Sequence, residues 1–236
     1  MNGKLIATVT EIIKQTPDVW SVNFLVDGQP LPAEAGQYIS VYFSDTDVPE
    51  GKAYSLSSCP EDNFSQITVK RVGLFSNKIT DLKVGDTLKI SASYGFFDAF
   101  SDVFIDSPAY FIGCGVGISP LYSIVRNQIK SRNTRPLTLF YTNKTDDDII
   151  FHKSLERLTR SNNNFSVNFY VTRQSDSRYY RKRFVVDDIK NISADSYFYL
   201  CGTTEFTRSI WQQLIQVGVS EKNISVEVFF GANNGD

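Results

Sequence analysis

Up to about residue 100 the chain alternates apolar and polar positions in short runs. "KLIATVTEII", "VWSVNFLV", "GQYISVYF", "KAYSLSS", "QITVKRV" and "DTLKISASY" all carry this pattern. A period of two puts one face of a strand toward a core and the other outward. Turn-forming stretches separate the runs: "DGQPLP", "DTDVPEG", "PEDN" and "KVGD". Six short strands at this spacing predict a small antiparallel barrel or sandwich. "GLFSNKITDL" interrupts them and suits one helical turn.

After "FSDVFIDSP" the rhythm changes. Apolar strands now alternate with amphipathic stretches: "AYFIG" with "SPLYSIVRNQIKSR", then "PLTLFYT" with "DIIFHKSLERLTR". "FSVNFYVT", "SYFYLCG", "EFTRSIWQQLIQVG" and "ISVEVFF" complete the series. This is the βαβ pattern of a parallel sheet covered by helices. Leu121, Ile124, Val125, Gln128 and Ile129 hold the spacing of one buried helix face. Two domains are expected, 1–100 and 105–236, with a boundary near 100–108. The tail "GANNGD" reads as disordered.

Composition narrows the classes. A net charge of −2 lacks the basic footprint of a nucleic-acid binder. No apolar run reaches the length of a membrane helix, and the first residues read as a strand rather than a signal peptide. Cys59, Cys114 and Cys201 stand far apart, which excludes a cysteine-ligated zinc or iron–sulfur site within the chain. The odd count fits a reducing compartment, so a cytoplasmic protein is expected.

"GCGVGISP", Gly113 to Pro120, carries the sharpest chemistry. It leaves an apolar strand and enters a helix, with glycines that admit a tight turn and the close approach of a phosphate. The helix N-terminus behind it offers free N–H groups; Ser119 is placed to cap that helix and Pro120 suits its first turn. The plainer reading is a tight strand–helix connection. The turn is not the usual dinucleotide fingerprint: Ser119-Pro120 stands where a third glycine belongs, and no acidic residue ends the second parallel strand. The triplet Asp146 to Asp148 reads as a helix N-terminus and not a metal site. His152, the one histidine, reads as a surface residue.

A barrel half carrying "AYSLSS", followed by an α/β half opening with "GCGVGISP", resembles the ferredoxin–NADP reductase superfamily. "GQYI", "VKRVGLFSN", "SYGFF" and "FYLCG" fall in the matching order. The resemblance spans essentially the whole chain. It implies a six-stranded antiparallel β-barrel that binds FAD and an α/β parallel-sheet domain that binds NAD(P).

The same resemblance assigns residues. Tyr54 packs along the flavin and Ser55 faces its hydride-accepting atom; Lys52, Ala53 and Leu56 flank them. Lys70, Val72, Gly73, Phe75, Ser76 and Asn77 lie along the flavin and its pyrophosphate, with Ser76 and Asn77 as side-chain donors. Gly115, Val116, Gly117, Ser119 and Pro120 meet the nicotinamide nucleotide. Cys201 and Gly202 lie beside the reacting nicotinamide carbon, although a lone cysteine read by itself is a buried structural thiol. Glu227 lies near the flavin, and Phe229 or Phe230 covers its second face; an outward charge on a last strand is the plainer reading of Glu227. Thr172-Arg173 matches a pair that meets the 2′-phosphate of NADPH, supported by Arg178, Arg181 and Arg183. Two departures stand out: Lys52 occupies the place of an arginine, and Thr203 that of a proline.

The expected function is an FAD-dependent reductase moving a hydride from NADPH, or NADH, to FAD. Single electrons then pass to a separate acceptor such as ferredoxin, flavodoxin or an oxygenase component, with no metal required. The competing readings are a reductase that uses flavin as a released substrate and an electron-transfer subunit of a larger complex.

Overall fold

The computed structural model describes residues 4–46, 48–97, 107–131, 134–190, 192–193 and 195–229. All six expected barrel strands form: β1 (Leu5–Thr16), β2 (Val19–Val26), β3 (Tyr38–Tyr42), β4 (Lys52–Ser55), β5 (Ser65–Lys70) and β6 (Thr87–Ile90). They pair antiparallel in the order β4-β3-β6-β1-β2-β5. A bridge from Leu56 to Ile67, just past the end of β4, brings the first strand of that order against the last and closes the barrel. Closure removes the sheet edges that an open sheet leaves unpaired. Val22, Phe24, Ile39, Ile67, Leu88 and Ile90 fill the interior. The interrupting segment forms two turns of helix, α1 (Leu74–Thr80), rather than one. Phe75 and Ile79, four residues apart on one face, pack it onto the barrel core.

The second half is a five-stranded parallel sheet in the order β11-β10-β7-β8-β9. Its strands are β7 (Ala109–Cys114), β8 (Leu137–Asn143), β9 (Phe165–Val171), β10 (Tyr197–Thr203) and β11 (Ile224–Phe229). Helices α2 (Ile118–Lys130) and α3 (His152–Ser161) cover one face. Helix α4 (Thr204–Gln216) covers the other through Ile210 and Leu214. The predicted α2 face is buried at Leu121, Ile124, Val125 and Gln128 and partly buried at Ile129. Strands β8 and β10 flank β7 on opposite sides, so the carboxyl ends of β7 and β10 form the crevice where open α/β sheets bind ligands. The expected domain boundary falls largely on residues outside those described, as do Phe230 and the tail.

Three local expectations change. Ser119 does not cap α2: the helix starts at Ile118, and the Ser119 hydroxyl donates to the Val116 carbonyl at 2.8 Å. Asp146–Asp148 form their own short turn ahead of α3, where Thr145 and Asp148 cap each other. His152 is half-buried, edge-on to Phe169 and hydrogen-bonded to Tyr179, because the first turn of α3 packs against β9.

Candidate functional site between the two sheets

Burial deepens along β4, leaving Lys52 and Ala53 exposed and Ser55 buried. Tyr54, half-buried, stacks on Phe75 with ring centroids 6.4 Å apart and planes at 21°. Phe43 meets the same ring edge-on at 5.0 Å, and the Lys52 ammonium lies 5.5 Å from its centroid. Burial pushes the Tyr54 phenol well above its usual range, so it stays neutral. Phe75 thus holds both an aromatic face and a cation on one strand. Leu56, by contrast, fills the barrel core.

Ser55 reaches across to the other sheet. Its hydroxyl donates to Glu227 Oε1 at 2.8 Å. Glu227 lies in register with Cys201, and Cys201 with Gly113, so three parallel strands converge on this point. Glu227 Oε2 is buried with no partner among the described residues. Burial raises the Glu227 carboxyl above its ordinary value, and the Ser55 hydrogen bond opposes that rise only in part. Burial also raises the Cys201 thiol, helped by the nearby Glu227 and Cys114, which keeps it protonated.

The glycine turn completes the crevice. Gly115 sits at φ 51° with open space where a side chain would point, and Tyr141 donates to its carbonyl at 2.8 Å. A Cβ on Gly117 would stand 2.5 Å from the Cys201 carbonyl oxygen. Only glycine lets the turn approach β10 so closely. Strand β5 of the barrel also packs against this turn. Thr203, where the resemblance implies a proline, accepts from the Phe206 N–H at 3.4 Å and caps α4.

Other expected contacts are spent elsewhere. Lys70 pairs with Asp18 at 3.1 Å. Ser76 is not a free donor: its hydroxyl accepts from the Val72 and Gly73 N–H groups and donates to the Gly73 carbonyl, shaping its own loop. Asn77 Oδ1 is buried and lacks a partner among the described residues. Ala53, Val72 and Gly73 are exposed, and Phe229 packs partly buried against the core of the second half. Val116 and Pro120 keep their places in the turn and the first turn of α2.

At the nucleotide end, Thr172 donates to the Asn143 carbonyl at 3.2 Å and the Arg173 N–H bonds the Lys144 carbonyl at 2.8 Å. That joins the loops after β8 and β9 and leaves the Arg173 side chain exposed. Arg178 is engaged by Glu156 and Arg181 by the Ser175 carbonyl, so neither stands open as the sequence suggests. Arg183 is exposed.

Sequence reasoning missed a second seam between the halves. Asp62, in the loop after β4, takes a bidentate contact from Arg126 of α2 at 2.7 and 2.6 Å. Ser123, also on α2, donates to the Ser58 carbonyl at 2.5 Å. The pairs lie 64 and 65 positions apart, and nothing local in the sequence links them.

A closed barrel, a parallel sheet and a seam that unites an aromatic strand, a glycine turn and a buried carboxyl match the architecture that the sequence resemblance implies. Comparison with known proteins agrees. The chain matches the family model of the oxidoreductase NAD-binding domain over residues 111–212. A flavohemoprotein of Candida norvegensis is 27% identical, covering 97% of this chain and 58% of that protein. The glycine betaine monooxygenase reductase subunit of Pseudomonas aeruginosa is 31% identical over 73% of this chain and 48% of its own length. The flavohem-like FAD/NAD-binding domain of nitric oxide dioxygenase from Vibrio cholerae O1 biovar El Tor shares the fold. It has a TM-score of 0.87 at 24% identity, covering 98% of this chain and all of that one. The chain spans about half the length of the curated relatives it matches. Residues 111–212 match the oxidoreductase NAD-binding domain, and the whole chain shares the fold, a barrel followed by an α/β half, of the FAD- and NAD-binding structures it resembles. Among the described residues no helix is long and apolar enough to cross a membrane, and no cluster of metal ligands occurs.

Proposed function

We propose that this chain takes a hydride from NADPH onto FAD and passes electrons singly to a separate acceptor, a ferredoxin, a flavodoxin or an oxygenase component. The barrel, 1–100, is assigned to FAD and 105–236 to the nucleotide. The meeting of Ser55, Glu227 and Cys201 from opposite halves carries the reading. The donor set fits a flavin: an aromatic face at Tyr54, a cation at Lys52, and a buried carboxyl oxygen of Glu227 in need of a partner. The nucleotide side fits as well, with open space at Gly115 for a phosphate.

FAD, when bound, supplies the two-electron acceptance and one-electron release that side chains lack. The chain supplies position. Ser55 fixes the Glu227 carboxyl, and burial keeps a proton on Glu227 to higher pH than an ordinary carboxyl holds it. Cys201, neutral and wholly buried in the core of the second half, backs the wall of the crevice from inside. Gly117 lets the nucleotide-side turn close on that wall. Holding both partners in one geometry replaces a costly encounter.

Arg173, exposed beside Lys144, supports NADPH over NADH as the donor. The three thiols are free, which supports a reducing, cytoplasmic setting. The flavohemoprotein relatives favour a second reading of the acceptor: a haem protein in place of a ferredoxin. The test is to purify the protein, identify bound FAD, and follow its bleaching anaerobically with NADPH and NADH. The reduced protein is then mixed with ferredoxin, flavodoxin and a ferric globin. Colourless protein that FAD does not reconstitute overturns the assignment.

A further inference from the structure

We propose that Asp62 and Arg126, with Ser58 and Ser123, form a positioning clamp that sets the reach between the flavin-side strand β4 and the nucleotide-side glycine turn. This inference rests on the hydride-transfer reading above and names the residues that fix its geometry from outside the crevice.

The chain path makes the case. Ser58 and Asp62 lie in the loop that continues directly from Ser55, the last residue of β4. Ser123 and Arg126 lie on α2, the helix launched from the Gly115–Gly117 turn. A contact between loop and helix therefore ties the two elements that carry the opposing walls of the crevice. From Arg126 back to the first turn of α2 is eight residues, on the order of 12 Å of continuous helix. A helix transmits displacement as a rigid body, so a shift at Arg126 moves the turn.

The contact is also built to define direction. The Asp62 carboxylate takes both Arg126 nitrogens, the Cys59 N–H at 2.8 Å and Lys130 at 3.3 Å. The planar guanidinium fork allows one mutual angle, where a lysine would allow many. The Asp62 side chain is 8% exposed and that of Arg126 18%, so salt screens the pair only weakly. Arg126 is steadied from its own side as well. Its guanidinium lies 5.2 Å from the centroid of Tyr122, which stacks on Phe151 at 4.2 Å. Ser123, fully buried, adds a second point on the same helix, and two points fix an orientation where one leaves a pivot. On the far side of the crevice the halves are joined by Ser55 to Glu227 and by Ser225 to the Phe97 carbonyl at 2.9 Å. The crevice is thus tied on both flanks.

The experiment is anaerobic stopped-flow reduction of the FAD-loaded full chain by NADPH, comparing wild type with Arg126→Met, Arg126→Lys and Ser123→Ala. Misplacing reacting groups by ~1 Å costs up to ~100-fold in rate, so Arg126→Met is expected to lower the limiting rate by about 10-fold or more. The FAD dissociation constant stays unchanged in that variant, and a nicotinamide deuterated at its reacting carbon slows the step. Arg126→Lys restores the charge without the fork and recovers stability more than rate. A wild-type limiting rate in Arg126→Met overturns the clamp. So does a lowered rate that comes with equal loss of FAD, since that marks a structural role alone. If Arg126→Met does not fold, Ser123→Ala decides by the same two readouts. A wild-type protein whose bound FAD neither nucleotide reduces is a separate outcome: it removes the hydride-transfer reading itself and the clamp with it.

Discussion

Ser55 of the barrel and Glu227 of the last strand, 172 positions apart, share a hydrogen bond of 2.8 Å across the junction of the two sheets. The serine donates to a carboxylate, so the bond favours the charged form, yet burial outweighs it and Glu227 titrates above its ordinary 4.5. The limiting rate of flavin reduction is therefore expected to show an inflection above pH 4.5 that disappears in Glu227→Gln. Ser55→Ala removes the opposing bond and moves that inflection upward. The stability consequence has a definite sign. A raised carboxyl costs nothing while protonated, and the cost enters as pH rises through the folded value. Glu227→Gln should thus gain thermal stability relative to wild type at neutral pH and lose that advantage in acid.

Asp62 titrates in the opposite direction. Burial pushes its carboxyl up, but the Arg126 hydrogen bonds, the Cys59 N–H and the charges of Arg126 and Lys130 together bring it below the ordinary 3.8. Its contribution is present above that ordinary value and is lost as pH falls through the lower folded one. Removing one partner of a buried pair strands the other, so Asp62→Asn should cost about 3 kcal/mol at neutral pH. Urea unfolding at several pH values checks both points, with the gap from wild type closing in strong acid.

Two glycines of one turn should respond differently to alanine. At Gly117 the new Cβ meets the Cys201 carbonyl at 2.5 Å, a backbone atom that cannot rotate away. Overpacking of this kind costs about 1–3 kcal/mol and pushes the turn off β10. At Gly115 the space is open and the penalty is the left-handed φ of 51° alone, about 1 kcal/mol. Gly117→Ala is expected to lower both thermal stability and flavin reduction, and Gly115→Ala to act chiefly on nucleotide affinity. Melting curves and NADPH titrations separate the two.

Period and turn chemistry made the eleven strands among the described residues legible, because alternation and apolar runs respond directly to which faces are buried. The glycine turn and Tyr54-Ser55 were legible as motifs. What the pattern hid was which side chains pair once elements distant in the sequence meet. In "VWSVNFLV" the polar positions Ser21 and Asn23 look like a solvent face, yet both are buried. Ser21 bonds Thr68 at 2.9 Å and Asn23 accepts from Gln66 at 2.7 Å, a network that exists only once β2 and β5 pair. Ser76 offered a donor by residue type, but loop geometry consumed it. The Asp62–Arg126 pair needs both halves in place before either residue has a reason to be noticed.

Lys52 tests how the barrel grips FAD. Its ammonium lies over Phe75 rather than in an ion pair, and among the described residues no carboxylate claims it. A lysine gives a single mobile charge where an arginine gives a planar fork suited to phosphate. Lys52→Arg should tighten FAD several-fold, read by titrating the apoprotein with FAD and following fluorescence quenching. Phe75→Ala should loosen it and cost about 3–5 kcal/mol of stability, since it removes the ring that supports Tyr54 and Lys52 together. An unchanged FAD affinity in Lys52→Arg would place the lysine in solvent.

Arg173 is where the proposed preference for NADPH can be tested. Its backbone is fixed by the Lys144 carbonyl and its neighbour Thr172 by the Asn143 carbonyl, so the side chain starts from an ordered loop at the carboxyl edge of the sheet. Arg178 and Arg181 are already engaged, so under the proposed function the contact to a 2′-phosphate falls to Arg173, with Lys144 and Arg183 exposed as further cations. A charge-assisted contact to phosphate contributes about 1.5–3 kcal/mol, so Arg173→Ala should raise the KM for NADPH by on the order of 10- to 100-fold. NADH lacks that phosphate, and its KM should move little. Arg181→Ala serves as the control, because its guanidinium is bound to the Ser175 carbonyl. Equal effects of Arg173→Ala on both nucleotides would remove the phosphate role.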